Sequence, residues 1–249
     1  MSRILLIGEQ WTSAITEVKG PVAYSTGSYI EQGDALLAAL RAAGHTVTHF
    51  VTCRVAQFFP EKLEALNEYD VICLSDVGAE AFLFHPEMLS RSIRHPNRLS
   101  MLKEYVVQGG GLMMIGGWMS YAGIDGKARF HGTAVEEVLP VTCSPWDDRQ
   151  ERPEGVTPKV ALASHPILNG VPADWPFFLG YNRVNIKKNA KTILGLGKDP
   201  LLAVWNFKKG RTAAFTSDCA PHWGPAKFLE WKGYGRFWNN LVDWLAQKK

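Results

Sequence analysis

The side chains with the greatest chemical reach in this sequence stand just beyond short apolar runs. Glu9 follows Ile4–Gly8, Asp76 follows Val71–Ser75, and Gly116, Gly117, Trp118 and Met119 follow Leu112–Ile115. Asp218 and His222 follow Thr212–Thr216. If those runs are parallel strands, their carboxyl ends form the edge where open α/β sheets bind ligands. The expected cleft is therefore lined by Glu9, Asp76, Gly117, Trp118 and His222, with Trp118 and Tyr121 as stacking surfaces for a small polar ligand. His222 is the leading candidate for a general base, because an imidazole changes charge near neutral pH. Asp218 is the candidate that would orient it. Each assignment has a structural competitor. His222 can cap the C-terminal helix, Asp76 can cap a helix, Glu9 can be a surface carboxylate, and Trp118 can be core. Cys219 is either a nucleophile beside His222 or an inert buried thiol.

The elements that must position these residues are legible in outline. Ile4–Ile7 reads as a buried strand, Ser28–Glu31 as a capping box before a helix over 35–43, and Thr46–Thr52 as a second strand. A short helix over 61–69, a strand at Val71–Leu74, a helix over Arg98–Gln108 and a strand at Leu112–Ile115 follow. This alternation predicts a doubly wound, flavodoxin-like α/β fold, a mostly parallel sheet with helices on both faces. Periodicity fails from Tyr121 to Pro158, which predicts a long irregular insert. Strands are expected at 191–196, 201–207 and 212–216, with a turn at Lys208–Arg211, and then an aromatic helix over 227–247. No linker-like stretch or internal repeat interrupts the chain, so residues 1–249 are read as one domain.

The segment from Gly109 to Ser120 brings a family into view. A strand that ends in glycines and turns sharply is how a nucleophile elbow is built. The segment resembles the class I glutamine amidotransferase-like superfamily, whose members place a cysteine in a Gly-x-Cys-x-Gly elbow there and add a His and a Glu after a late strand. Here the elbow positions read Gly116, Gly117, Trp118, Met119 and Ser120, and no cysteine lies between Cys73 and Cys143. His222 matches the superfamily's late histidine in place, but the Glu expected two residues on is Gly224. His165-Pro166-Ile167 is similar to the trehalose-utilisation-type members, and that likeness is what suggests a sugar or polyol ligand. Gly180–Val184 and Ser217–Gly224 resemble a bacterial branch of glutamine amidotransferase-like cytoplasmic proteins. The resemblance implies a glutamine amidotransferase-like protein without glutaminase chemistry, because no thioester forms without a thiolate. An active enzyme built on His222 with Asp218 or Cys219, and an assembly role, stand as alternatives.

Composition excludes other classes. The 27 basic and 24 acidic residues leave a charge of +3, too even for a nucleic-acid footprint. No 18-residue apolar run exists, so no membrane span is expected, and an apolar strand directly after Met1-Ser2-Arg3 leaves no room for a leader. Together with the scattered Cys53, Cys73, Cys143 and Cys219, read as free thiols, this places the protein in the cytoplasm. The sequence carries no dinucleotide or Walker motif and no His/Cys spacing for zinc, so no cofactor or metal is expected. His85, Arg91, Arg94, His95 and Arg98 form a basic run read as a solvated loop or subunit contact, with an anion site conceivable. Phe228, Trp231, Tyr234, Phe237, Trp238 and Trp244 crowd one stretch, and Phe237 and Trp244 fall off its core-facing stripe, which predicts a homo-oligomer.

Overall fold

The computed structural model describes residues 1–248. The first apolar run forms β1 (Arg3–Gly8), buried from Ile4 onward. The chain then doubles back in a long hairpin, β2 (Gln10–Lys19) and β3 (Val22–Glu31), paired from Gln10↔Glu31 to Lys19↔Val22. Gly20 takes φ +59°, the positive φ such a tight turn requires. This hairpin overturns the expected capping box. Ser28 faces Ser13 across the ladder, and the helix α1 (Asp34–Ala42) begins only after Gly33. Both arms are rich in β-branched and aromatic residues, and their cross-strand pairing prevails over a local Ser-x-x-Glu cap.

The next elements follow the expected alternation. They are β4 (Thr46–Phe50), α2 (Thr52–Phe58), α3 (Leu63–Leu66), β5 (Val71–Ser75), α4 (Glu80–Leu83), α5 (Pro86–Arg91), α6 (Arg98–Gln108) and β6 (Gly111–Ile115). Thr52, expected at a strand end, opens α2 instead. Helix α6 starts where Asn97 accepts hydrogen bonds from the Leu99 and Ser100 amides, both at 3.1 Å, which satisfies donors a helix start leaves free.

The second half holds α7 (Ala134–Val138), β7 (Val141–Thr142), β8 (Arg149–Val156), β9 (Lys159–Val160), β10 (Phe178–Asn182) and β11 (Asn185–Ile186). It ends in β12 (Lys191–Leu196), β13 (Asp199–Phe207), β14 (Gly210–Phe215), α8 (Ala226–Leu229) and α9 (Tyr234–Leu245). The segment from Tyr121 to Pro158 is therefore not irregular throughout. It contributes α7, β7 paired with β11, and β8 paired with β10. Its elements are too short for periodicity to register, and their partners lie far off in sequence.

The central sheet has eight strands in the order β4-β1-β5-β6-β14-β13-β12-β9. Pairing is parallel from β4 to β14 and antiparallel from β14 to β9. Alternate strand residues feed two cores. Ile4, Leu6, Cys73, Met113 and Phe215 pack with α1 and α9 on one face. Leu5, Ile7, Ile72, Leu74 and Met114 pack with α2, α3 and α6 on the other. That two-sided burial explains why these strands read as unbroken apolar runs. The chain leaves β1 toward β4 and returns on the other side of β1 as β5, so the order reverses between β1 and β5. Glu9 and Asp76 stand at that reversal, the position where such sheets open a crevice.

The aromatic C-terminus is not one helix, because residues 230–233 separate α8 from α9. Phe237, off the expected stripe, is fully buried against Trp175 and Phe215. Trp244 packs on the His165 ring at 5.3 Å and under the Arg211 guanidinium at 5.0 Å. The chain's own residues cover these rings, so this aromatic density gives no argument for a subunit contact.

Candidate functional site

The close approach of β1 to β5 sets the floor of the cleft. A Cβ at Gly8 would stand 1.7 Å from the Ser75 carbonyl oxygen, so only glycine fits there, at φ +115°. Three non-glycine residues at the cleft take positive φ: Glu9 (φ 52°), Asp76 (φ 46°) and His222 (φ 113°). Such backbone costs on the order of 1–3 kcal/mol per residue, and it clusters where a side chain must be aimed for function. All three side chains line one cleft of about 480 Å³, together with Asp218, Trp118, Met119, Trp11, Ser13 and Gln32.

The acids in this cleft are shaped by burial. Glu9 is 2% exposed, and its Oε1 accepts the Ser75 hydroxyl at 2.6 Å. Burial pushes the Glu9 carboxyl up to about 7, with the Asp76 charge adding to the rise and the Ser75 bond working against it. Burial also raises Asp76, against the pull of the Met119 N–H that Asp76 Oδ1 accepts at 2.6 Å and of His222. Asp218 is raised well above the usual carboxylate range, by burial first and then by the charges of Glu9 and Asp76. Acids this close cannot all ionise cheaply, so near neutrality the group shares protons. One ligand atom each from Glu9, Asp218 and Cys219 lies within 4.8 Å of the others, so these three could also hold a cation.

Among the expected elbow residues Gly116–Ser120, only Gly117 has a positive φ, near-extended at 158°. The Gly116–Ser120 turn serves as a wall instead. A Cβ at Gly117 would come within 2.6 Å of Asp76 Oδ1, so glycine there leaves room for the carboxylate. Asn182 staples this turn: its Oδ1 accepts the Gly117 amide at 3.0 Å, and its Nδ2 donates to Gly117 O at 3.1 Å and Asp148 Oδ1 at 2.8 Å. Asp148 in turn accepts the Ala122 and Gly123 amides at 2.9 and 3.0 Å. Sequence reasoning gave Asn182 and Asp148 no role, because their place beside a glycine turn is a tertiary fact that spacing does not show.

The expected site residues divide as follows. Glu9, Asp76, Trp118, Asp218 and His222 line the cleft, and Gly117 backs Asp76. Tyr121 does not: it is fully buried, and its hydroxyl donates to Met114 O at 2.9 Å and Phe215 O at 3.2 Å. It anchors the turn to the sheet and offers no stacking face. Among the described residues Asp218 makes no hydrogen bond or ion pair with His222; its Oδ1 accepts the Ala220 amide at 2.9 Å. The carboxylates whose fields reach His222 are Glu151 and Asp76, while partial burial lowers its imidazole below the ordinary value. Cys219 is fully buried, and burial raises its thiol well above the normal range, a setting that disfavours the thiolate.

The rim is aromatic. Trp118 is 41% exposed and meets the His222 ring edge-on at 4.9 Å, with the Arg149 guanidinium 5.1 Å from its own ring centroid. Glu151 accepts the indole N–H of Trp118 at 3.3 Å and of Trp223 at 2.9 Å, which fixes both rings. Arg149 and Glu151 come from β8, and Trp11 and Ser13 come from β2. Sequence reasoning missed these four residues because both strands were unrecognised.

With this geometry in hand, comparison with known proteins places the chain. A family model described as "GATase1_like: Putative glutamine amidotransferase" matches residues 3–247. Two Salmonella typhimurium proteins of known structure are similar over nearly their whole length. Cytoplasmic Protein STM3548 is 40% identical, with TM-score 0.94 and coverage of 97% of this chain and 98% of that one. Cytoplasmic Protein STM1381, from strain LT2, is 37% identical, with TM-score 0.94 and coverage of 99% and 100%. A ThuA-like protein from Bacteroides uniformis shares the fold alone, at 14% identity and TM-score 0.51 over 98% of this chain and 90% of that one. A search of the curated proteins finds no match. The chain belongs to the GATase1_like family of glutamine amidotransferase-like proteins.

Proposed function

We propose that this protein binds a small polar, hydroxyl-bearing ligand in the cleft at the strand ends, and that it does not release ammonia from glutamine. The observation that carries the reading is the aim of Glu9, Asp76 and His222, each on positive-φ backbone, into one cleft that presents no thiol. Carboxyls on the floor suit hydroxyl groups, since a protonated acid donates and an ionised one accepts. The exposed face of Trp118 suits the apolar face of a sugar or polyol ring. The Salmonella relatives are named cytoplasmic proteins, and we place this chain in the same compartment, without nucleic acid or membrane as partner.

A second reading has its own observation. The Glu9 carboxyl, held near 7, lines the same cleft as Asp76 and His222, and groups of this kind carry acid–base hydrolysis. In that reading an ionised carboxylate of the group takes a proton from the attacking water while a protonated carboxyl gives one to the leaving group as its bond breaks. Both readings share the binding step, and both exclude thioester chemistry. The test is a glutaminase assay with a thiol-directed glutamine analogue. No ammonia and no covalent adduct are expected; turnover with labelling at Cys219 would overturn the proposal.

A further inference from the structure

Three carboxyls converge on the floor of the cleft, and no fixed cation answers them. Glu9 is 2% and Asp218 6% exposed, and an oxygen of each lies within 4.8 Å of the other. Asp76, at the end of the neighbouring strand β5, adds its field to both. No lysine or arginine lines the cleft, and its one basic side chain is His222, which burial holds toward the neutral form. The guanidinium of Arg149 at the rim is taken by Asp147, with Nε and Nη2 on its carboxylate oxygens at 2.8 to 3.2 Å.

Buried acids ordinarily find partners, because an unpaired charge away from water is costly. Here the internal partners run short. Glu9 Oε1 accepts the Ser75 hydroxyl, whereas Glu9 Oε2 accepts no hydrogen bond among the described residues. The walls beside these acids are aromatic. Trp11 and Trp118 line the cleft, 36% and 41% exposed, together with the His222 ring and Met119. A Trp ring face attracts an organic cation.

We propose that the hydroxyl-bearing ligand of this cleft also carries a protonated primary amine, as an amino sugar or amino alcohol does, and that its ammonium group sits on Glu9 and Asp218 beside Trp11 and Trp118. This rests on the binding reading above and adds the charge to it. An ammonium has three N–H donors, enough for one to each of Glu9, Asp218 and Asp76. A neutral polyol can hydrogen-bond these acids but cannot offset their charge. Glu9, held near 7, needs little help from a neighbouring cation to ionise at neutral pH. A metal ion is the rival occupant. The ligand set that contains Glu9 and Asp218 has Cys219 as its third member, and that thiol neither lines the cleft nor loses its proton readily.

The test is a calorimetric titration of the full chain with glucosamine, glucose and N-acetylglucosamine, which share a ring and of which only the first is cationic. Ethanolamine is added as a cation too small to clash. Glucosamine should bind with one equivalent. Glucose and N-acetylglucosamine should bind at least about 30-fold more weakly, the loss that follows when a buried charge is left without its partner. Glu9→Gln and Asp218→Asn should each weaken glucosamine by a similar factor, and either serves if the other does not fold. The exposed Glu64→Gln should bind as wild type does. Glucose binding as tightly as glucosamine would overturn the amine and leave the hydroxyl-binding reading standing. No binding by any of the four probes would overturn the amine and count against that reading with it. Glucosamine binding that survives both Glu9→Gln and Asp218→Asn would overturn the placement. Zinc or calcium that binds alone and blocks glucosamine would assign the acids to a metal and overturn it too.

Discussion

Replacing Glu9 with Gln should remove a specific pH dependence of stability. Glu9 is buried at the cleft floor, and burial holds its carboxyl near 7 in the folded protein against 4.5 for the free side chain. An acid raised on folding binds more protons in the native than in the unfolded state between those two values. Its contribution is therefore fully present below about 4.5 and is lost as pH rises through about 7. At 1.36 kcal/mol per unit, the difference corresponds to about 3 kcal/mol. In Glu9→Gln the amide is neutral at every pH and can still accept from Ser75. Urea unfolding of both proteins at pH 5 and pH 8 reads the effect. The wild type should lose roughly 2–3 kcal/mol more than the variant between those values. Parallel losses would show that Glu9 is not held protonated and would refute the burial argument.

Other outcomes follow from the same geometry. Trp118→Ala should leave stability within about 0.5 kcal/mol, as substitutions at half-exposed sites do, while weakening ligand affinity about tenfold; an unfolding midpoint and a titration on one sample separate the two. Asn182→Ala removes the bonds to Gly117 and Asp148 and leaves their groups buried, so a loss of about 2–4 kcal/mol in denaturant unfolding is expected. Self-association is also expected, now on different grounds from the C-terminal aromatics. The β2–β3 hairpin exposes Ile15, Val18, Val22, Tyr24 and Tyr29, and an isolated two-stranded hairpin is marginal in water. Light scattering at micromolar concentration should give a multiple of 27.7 kDa, and a concentration-independent monomer would contradict it.

The sequence made the parallel half of the sheet legible because β1, β5 and β6 are buried on both faces and so read as unbroken apolar runs that stop at the cleft. That is why Glu9, Asp76, Trp118 and His222 were found from position alone. What escaped depends on features that composition does not carry. Most of the β2–β3 hairpin is exposed, so no burial pattern marked it, and Trp11 and Ser13 went unseen with it. The positive φ of Glu9, Asp76 and His222 is a matter of backbone, which residue types suggest but do not determine. Tyr121 was read as a stacking surface because a Tyr beside a glycine turn looks the same whether it points out or, as here, down to Met114 O.

The most direct test of the cleft as a binding site is a thermal-shift screen with sugars, polyols, amides and acids, run on wild type, Asp76→Asn and Trp118→Ala in parallel. A ligand that prefers the folded state raises the midpoint by mass action, by about 2.7 kcal/mol of apparent stability at a hundred times its dissociation constant. The expected result is a polyol or sugar that raises the wild-type midpoint and shifts neither variant. A ligand that stabilises all three proteins equally would place the binding site elsewhere and contradict the assignment.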